Sequence, residues 1–93
     1  MEALVLLGRA LADEERHGDA VYAFDRVLRF LPDHTVARFH RGISQGRLRR
    51  FDAAISDWEQ VVSTAPTGPL AAAARANARS ARELAHILAP AEV

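Results

Sequence analysis

Apolar residues recur at helical spacing through most of this chain. Leu4, Leu7 and Leu11 form one such run, and a longer series extends from Ala20 to Leu31. Because residues three and four apart lie on one face of a helix, both runs predict amphipathic helices. Prolines and glycines divide the pattern into five segments. The helices are predicted at about residues 2–14, 18–31, 34–46, 53–65 and 69–89.

Aspartates stand at the predicted starts of the second, third and fourth helices. A carboxylate at this position can accept a hydrogen bond from a free backbone N–H of the first turn. We therefore expect Asp19, Asp33 and Asp52 to cap these helices. Pro69 is expected in the first turn of the fifth helix, where the missing N–H of proline costs nothing. Pro90 is expected to end that helix.

The apolar pattern repeats at an offset of 34 residues. Seven positions match, namely Gly8 with Gly42, Ala20 with Ala54, Val21 with Ile55, Phe24 with Trp58, Val27 with Val61, Leu28 with Val62, and Pro32 with Pro66. A fixed period of this length is typical of stacked helix–turn–helix units. The fold predicted is an all-α solenoid with about five helices. It comprises repeats at residues 1–34 and 35–68, a closing helix at 69–89, and a tail at 90–93.

The repeated small residues predict close packing between helices. Gly8 and Gly42 fall in mid-helix, where glycine costs about 1 kcal/mol relative to alanine. Such a cost at equivalent positions predicts a close approach of two helix backbones, with Ala20 and Ala54 providing the small surface opposite. The matching aromatic residues are expected to fill the space between successive units.

The motif can be read position by position. The first copy has Leu4, Leu7-Gly8, Leu11, Ala20, Phe24 and Pro32. The second has Arg38, Arg41-Gly42, Gln45, Ala54, Trp58 and Pro66. This pattern resembles the tetratricopeptide repeat, although the second copy has arginine and glutamine where that family usually has apolar residues.

The resemblance implies a superhelix that binds an extended peptide or a helix on its concave face. Carried over by position, that face consists of Val5, Leu6, Arg9, Asp13, Phe39, His40, Ile43, Arg47, Ala73, Ala74 and Asn77. Members that clamp the terminal carboxylate of chaperones use lysines, asparagines and an arginine. At those places this chain has Val5, Arg9, His40, Leu70 and Ala74, so that clamp is not expected. The face is mainly apolar, which suits an apolar peptide or helix of a partner protein.

Self-association is the alternative function. The same apolar face could be an oligomer interface of this protein, or the fifth helix could cover it. Near the end of that helix, Leu84, Ile87 and Leu88 follow at i, i+3 and i+4. We expect this stripe to form a homodimer interface. The alternative is that it folds back onto the core of its own chain.

The charges balance over the chain but not locally. Twelve basic residues, all arginine, match twelve acidic ones. Acidic residues close the first helix of repeat one, whereas arginines occupy the same turn of repeat two. At an offset of 34, Asp13 pairs with Arg47 and Glu15 with Arg49, so we expect ion pairs across the repeats. The alternative is that the arginines form a phosphate-binding patch.

Neither catalysis nor metal binding is predicted. The four histidines, His17, His34, His40 and His86, include no pair three to five residues apart. A zinc site normally needs such a pair. His17 and His34 are expected to be solvated. Phosphate-binding loops and nucleophile elbows are not present in the sequence. We therefore expect a non-enzymatic binding protein without cofactor, small-molecule substrate or nucleic-acid partner.

Cysteine and long apolar runs are both missing from the sequence. Disulfides and thiolate chemistry are thus excluded. A membrane helix needs about 20 apolar residues, and no run approaches that length. The first residues have no basic segment before their apolar stretch, so they are not expected to be a signal peptide. We expect a cytoplasmic protein.

Overall fold

The computed structural model describes residues 1–89, and five helices account for most of them. Their bounds are α1 Glu2–Asp13, α2 His17–Phe30, α3 Thr35–Arg47, α4 Phe51–Thr64 and α5 Pro69–Leu88. This range contains no strand, which confirms the predicted all-α class and the five helices. Pro69 is the first residue of α5, as predicted. The predicted stop at Pro90 and the tail at 90–93 lie outside the described residues.

Each helix packs against the next one along the chain. The contacts of α1 with α2, α2 with α3, α3 with α4, and α4 with α5 are extensive. Smaller contacts join α1 to α3 and α3 to α5. Within residues 1–89, α1 and α5 do not touch, so they form the two ends of the row of helices.

Two apolar clusters form the core. The first joins α1, α2 and the start of α3 through Val5, Ala20, Phe24, Val27, Leu28 and Ala37. The second joins α3, α4 and α5 through Phe39, Ala54, Trp58, Val61, Ala74, Ala78 and Ala81. The alanines of α5 allow that helix to lie close to Trp58, because a methyl group takes up little space.

The two repeated glycines make room for aromatic rings. A Cβ atom added to Gly8 would lie 2.6 Å from Cε1 of Phe24, and one added to Gly42 would lie 2.6 Å from Nε1 of Trp58. Both distances are far shorter than van der Waals contact. The expected close approach therefore exists, but the expectation that a helix backbone lies opposite was wrong. A flat ring fits against a bare backbone where any side chain would collide with it.

The same turn joins α1 to α2 and α3 to α4. Glu15 and Arg49, which are 34 residues apart, both have φ of 62°. In each turn the next N–H donates to a carbonyl five residues earlier, from Arg16 to Leu11 at 2.8 Å and from Arg50 to Gln45 at 2.9 Å. This arrangement closes the carbonyl end of the preceding helix. The repeat in sequence thus corresponds to a repeat in backbone conformation.

Two of the predicted aspartate caps, at α2 and α4, are wrong because the helices begin earlier than expected. The helices α2 and α4 begin right after the turn, with Arg16 and Arg50 as N-caps and no side-chain cap. Asp19 and Asp52 therefore lie inside the first turn. There a carboxylate still interacts favourably with the helix dipole. Asp19 also forms an ion pair with Arg16 at 2.7 Å.

The cap of α3 is a histidine rather than the predicted Asp33. His34 is the N-cap, and its Nδ1 accepts a hydrogen bond from the N–H of Ala37 at 3.1 Å. Asp33 lies one residue too early to reach that N–H. His34 therefore has a backbone partner, and His17 is half-buried with Nδ1 3.4 Å from Oγ of Ser44. The expectation that both histidines are merely solvated was wrong.

Over residues 1–89, no helix combines the length and the apolar character needed to cross a membrane.

Candidate binding groove

Two of the predicted binding residues belong to the core. The relative exposure of Val5 is 7% and that of Phe39 is 9%. Val5 packs with Phe24 in the first cluster, and Phe39 packs with Trp58 in the second. The expectation that they lie on an open face was wrong, because each side chain faces the other helix of its own repeat. Ala74 is also fully buried, and Ala73 is partly buried against the second cluster.

Two predicted residues of α1, Arg9 and Asp13, lie near His40 in the middle of α3. Its ring stacks on Phe24, with the ring centroids 6.1 Å apart, and meets Phe39 edge-on at 5.5 Å. Arg9 and Asp13 are exposed, and both act electrostatically on His40. Leu6, on the same helix, is 56% exposed.

Burial lowers the pKa of His40 below its ordinary value. The positive charge of Arg9 lowers this pKa further, whereas the negative charge of Asp13 opposes the shift. Desolvation disfavours the charged imidazolium, and a nearby cation does the same. The imidazole of His40 is therefore neutral at neutral pH and can stack as an uncharged ring.

The remaining predicted residues converge on a groove between α3 and α5. Ile43 and Arg47 of α3 and Asn77 of α5 line a cavity of about 230 Å³. The other lining residues are Gly46, Phe51, Trp58, Ser80, Ala81 and Leu84. We call this cavity the α3/α5 groove. An apolar floor with a guanidinium and an amide at its edge can hold an apolar side chain and orient the backbone that carries it.

Trp58 forms a rigid floor for the groove. Its Nε1 donates a hydrogen bond to the carbonyl oxygen of Phe39 at 3.2 Å, so the polar edge of the buried indole is satisfied. Gly46 leaves the ring open to the groove, since a Cβ added there would lie 3.6 Å from Cη2 of Trp58. From the sequence, Trp58 was expected only to fill the space between successive units, and neither Gly46 nor Phe51 was expected at a binding site. One signal for Gly46 was its spacing, because it lies one turn after Gly42 on the same face.

The end of α5 packs partly onto its own chain. Leu84 and Leu88 are 47% and 48% exposed, and Ile87 is 73% exposed. Leu84 lines the α3/α5 groove, and Leu88 lines a second cavity with Phe51, next to the α3–α4 turn. Ile87 therefore points away from the chain. The homodimer interface expected from these three residues stays a prediction.

A larger crevice lies between α4 and α5. It has a volume of about 510 Å³, with Trp58, Val62 and buried alanines along its floor. Arg75, Arg79 and Arg82 line it, and Arg82 pairs with Glu59 at 2.5 Å. Its cationic rim suits an apolar peptide less well than the α3/α5 groove does.

The expected ion pairs between the two turns do not form. Among residues 1–89, neither Asp13 with Arg47 nor Glu15 with Arg49 comes within ion-pair distance. The contact of α1 with α3 is slight, so equivalent turns do not approach as assumed. Arg47 thus remains exposed at the edge of the groove.

The ion pairs between the repeats form where α2, α3 and α4 meet. Arg41 donates from Nε and Nη2 to the two carboxylate oxygens of Asp57, at 3.0 and 2.6 Å. Its Nη1 donates to Asp25 at 2.8 Å. The hydrogen bonds that Arg41 donates to Asp57 raise the pKa of Arg41 above its ordinary value, and burial partly opposes this rise. One guanidinium therefore links three helices.

No protein-family model matches this sequence, and no curated protein is significantly similar to it.

Proposed function

We propose that this chain is a tetratricopeptide-like repeat array that binds a peptide or helix of a partner protein in the α3/α5 groove. The observation that supports it is the groove itself, where Trp58, Ile43 and Leu84 offer an apolar surface beside the exposed Arg47. An apolar residue of the partner would lie on Trp58. An acidic residue next to it would approach Arg47, because opposite charges orient a bound segment.

The proposed role is that of a non-enzymatic scaffold in the cytoplasm. The scaffold part of this proposal is supported by the pairing of an apolar floor with few polar groups, which is typical of recognition surfaces for short segments. The repeated turns at Glu15 and Arg49 support the repeat-array part of the proposal, because an array uses one backbone unit more than once.

Selection of peptides from a random display library would test this function. The affinity of the selected peptides would be measured for the parent and for two groove variants. Arg47→Glu reverses the charge at the edge of the groove, and Asn77→Arg narrows the groove. We expect each change to weaken binding by at least about tenfold, because the contacts of the partner would be repelled or blocked. Arg26→Glu on the exposed side of α2 is the matched control and should bind like the parent.

Circular dichroism and thermal melts would show that the variants fold. Selected peptides that bind both groove variants as tightly as the parent would show that the partner binds elsewhere. A preference for apolar residues followed by Asp or Glu among the selected peptides would support the proposed chemistry.

A further inference from the structure

Two positions on one face of α1 are exposed although the equivalent positions of α3 and α5 are buried. Ala37 of α3 is 0% exposed and Ala71 of α5 is 1% exposed. Ala37 packs in a cluster with α2, and α5, which carries Ala71, packs against α3 and α4. The residue of α1 at the same repeat position is Ala3, and it is exposed.

A second position of that face behaves in the same way. Ser44 of α3 and Ala78 of α5 are 0% and 4% exposed, whereas the matching Ala10 is exposed. Between these positions on α1 lie Leu6 and Leu7, which are 56% and 49% exposed. We call Ala3, Leu6, Leu7 and Ala10 the α1 face. Its residues follow at i, i+3, i+4 and i+7, which is the spacing of a helix contact surface.

A second apolar stripe lies at the opposite end of the row of helices. Leu84, Ile87 and Leu88 form this α5 stripe, and within residues 1–89 Ile87 is the most exposed large apolar residue at 73%. The two surfaces are complementary in size. Small alanines on either side of the leucines of the α1 face leave depressions, and the α5 stripe offers three large side chains to fill them.

The two ends also carry opposite charge. Residues 1–14 hold three acids and one arginine, a net charge of −2, and residues 69–89 hold three arginines and one acid, a net charge of +2. Opposite potentials on two surfaces favour and orient their contact.

We propose that the α5 stripe of one copy packs on the α1 face of another, so that copies associate end to end. The contact is heterologous, since each copy contributes a different surface. A pair joined in this way still has one free α1 face and one free α5 stripe. Further copies can therefore add to form a row, unless the rotation between successive copies closes the row into a ring. Within one copy, α2 covers the face of α3 that includes Ala37. In the proposed contact, α5 of a second copy covers the equivalent face of α1. The proposal does not require a peptide in the α3/α5 groove, with which the α5 stripe shares Leu84.

Sedimentation of two variants, alone and mixed, tests the proposal. Leu7→Glu places a carboxylate on the α1 face, and Ile87→Glu places one on the α5 stripe. The replaced side chains are exposed, at 49% for Leu7 and 73% for Ile87, and Ala3→Glu provides a second variant of the α1 face should Leu7→Glu fold poorly. Phe30→Glu removes a side chain of 67% exposure from α2, outside both surfaces, and is the matched control.

The parent and Phe30→Glu are expected to show a mass that rises with concentration beyond one copy. Each blocked variant alone should associate at least about tenfold more weakly, because a carboxylate would be buried against aliphatic side chains. A mixture of Leu7→Glu with Ile87→Glu should form pairs with one copy of each and nothing larger, because one intact surface remains on each variant.

Three results would overturn the proposal. The first is a parent that stays a single copy at every concentration. The second is undiminished association of Leu7→Glu and Ala3→Glu, which would indicate symmetric pairing of α5 stripes. The third is a mixture of the blocked variants that forms no pairs.

Discussion

At the scale of single residues, two glycines without side chains leave the space that the core aromatic rings occupy. Gly8 and Gly42 each lie against an aromatic ring, and a Cβ at either position would be 2.6 Å from it. A Cβ added to Gly46, one turn later on α3, would lie 3.6 Å from the same Trp58 ring, which is an ordinary contact distance. Three glycines in helices thus have two different roles, which only their neighbours distinguish.

Replacing the glycines of α3 should therefore have opposite effects. Gly42→Ala is expected to destabilise the protein by about 1–3 kcal/mol, because Trp58 is buried and hydrogen-bonded and cannot move away freely. Gly46→Ala should stabilise it by up to about 1 kcal/mol, because alanine favours the helix and fits in ordinary contact. Denaturant unfolding of both variants would measure the difference. Equal free energies of unfolding would contradict the assigned role of Gly42.

The lowered pKa of His40 predicts a dependence of stability on pH. Folding favours the neutral imidazole, so above the ordinary pKa of 6.5 this stabilisation is fully present. As the pH falls through 6.5, the unfolded chain binds the proton more readily than the folded one, and the stabilisation is lost. We expect the free energy of unfolding to decrease on acidification, and less steeply in His40→Gln. Parallel curves for the two proteins from pH 8 to 5 would contradict this.

At the scale of the helices, the turns determine where each element begins. The left-handed conformation of Glu15 and Arg49 ends one helix and directs the chain into the next within a few residues. The following helices therefore start before the aspartates that were expected to cap them. Before α3, by contrast, Pro32 and Asp33 lie in the connection from α2, and His34 is the N-cap.

The cap of α3 can be tested with two neighbouring substitutions. His34→Ala removes the acceptor for the N–H of Ala37 and should cost about 0.5–2 kcal/mol. Asp33→Ala should change stability by less than about 0.5 kcal/mol, because it removes no cap. Thermal melts of both variants would compare them, and His34→Asn should restore most of the stability. A larger loss for Asp33→Ala would mean that the aspartate is the true cap.

At the scale of the whole molecule, one ionic cluster ties the two repeats together. Arg41 of α3 bonds to Asp25 of α2 and to Asp57 of α4, and the side chain of Asp57 is only 5% exposed. Apolar contacts alone would allow the two repeats to shift relative to each other, because such contacts are not directional. A guanidinium with fixed donor directions specifies one arrangement.

The two partners of Arg41 should differ in importance. Asp57→Ala is expected to cost about 3 kcal/mol, because it leaves a partly buried guanidinium without its bidentate partner. Asp25→Ala should cost about 0–1 kcal/mol, since that carboxylate is 42% exposed and makes a single hydrogen bond. Chemical denaturation would rank the two variants. A loss of the same size for both would indicate that burial of Asp57 is not what matters.

Much of the fold follows from local patterns in the sequence. The 3.6-residue spacing of apolar side chains and the positions of proline and glycine predict five helices, because these effects act within one or two turns. The period of 34 residues predicts that one unit occurs twice, and the repeated turns at Glu15 and Arg49 agree with it. The importance of Gly8 and Gly42 was likewise evident from their repetition.

Contacts between helices were decided only by the tertiary structure. Val5 and Phe39 have the same apolar character as Ile43, yet two are buried and one lines the groove, because the rotation of each helix depends on its neighbours. The expected pairing of Asp13 with Arg47 assumed a distance between turns that local sequence does not encode. The sequence by itself determined which segments are helical and that they repeat. Packing decided which faces remain open, because burial depends on residues far apart in the chain.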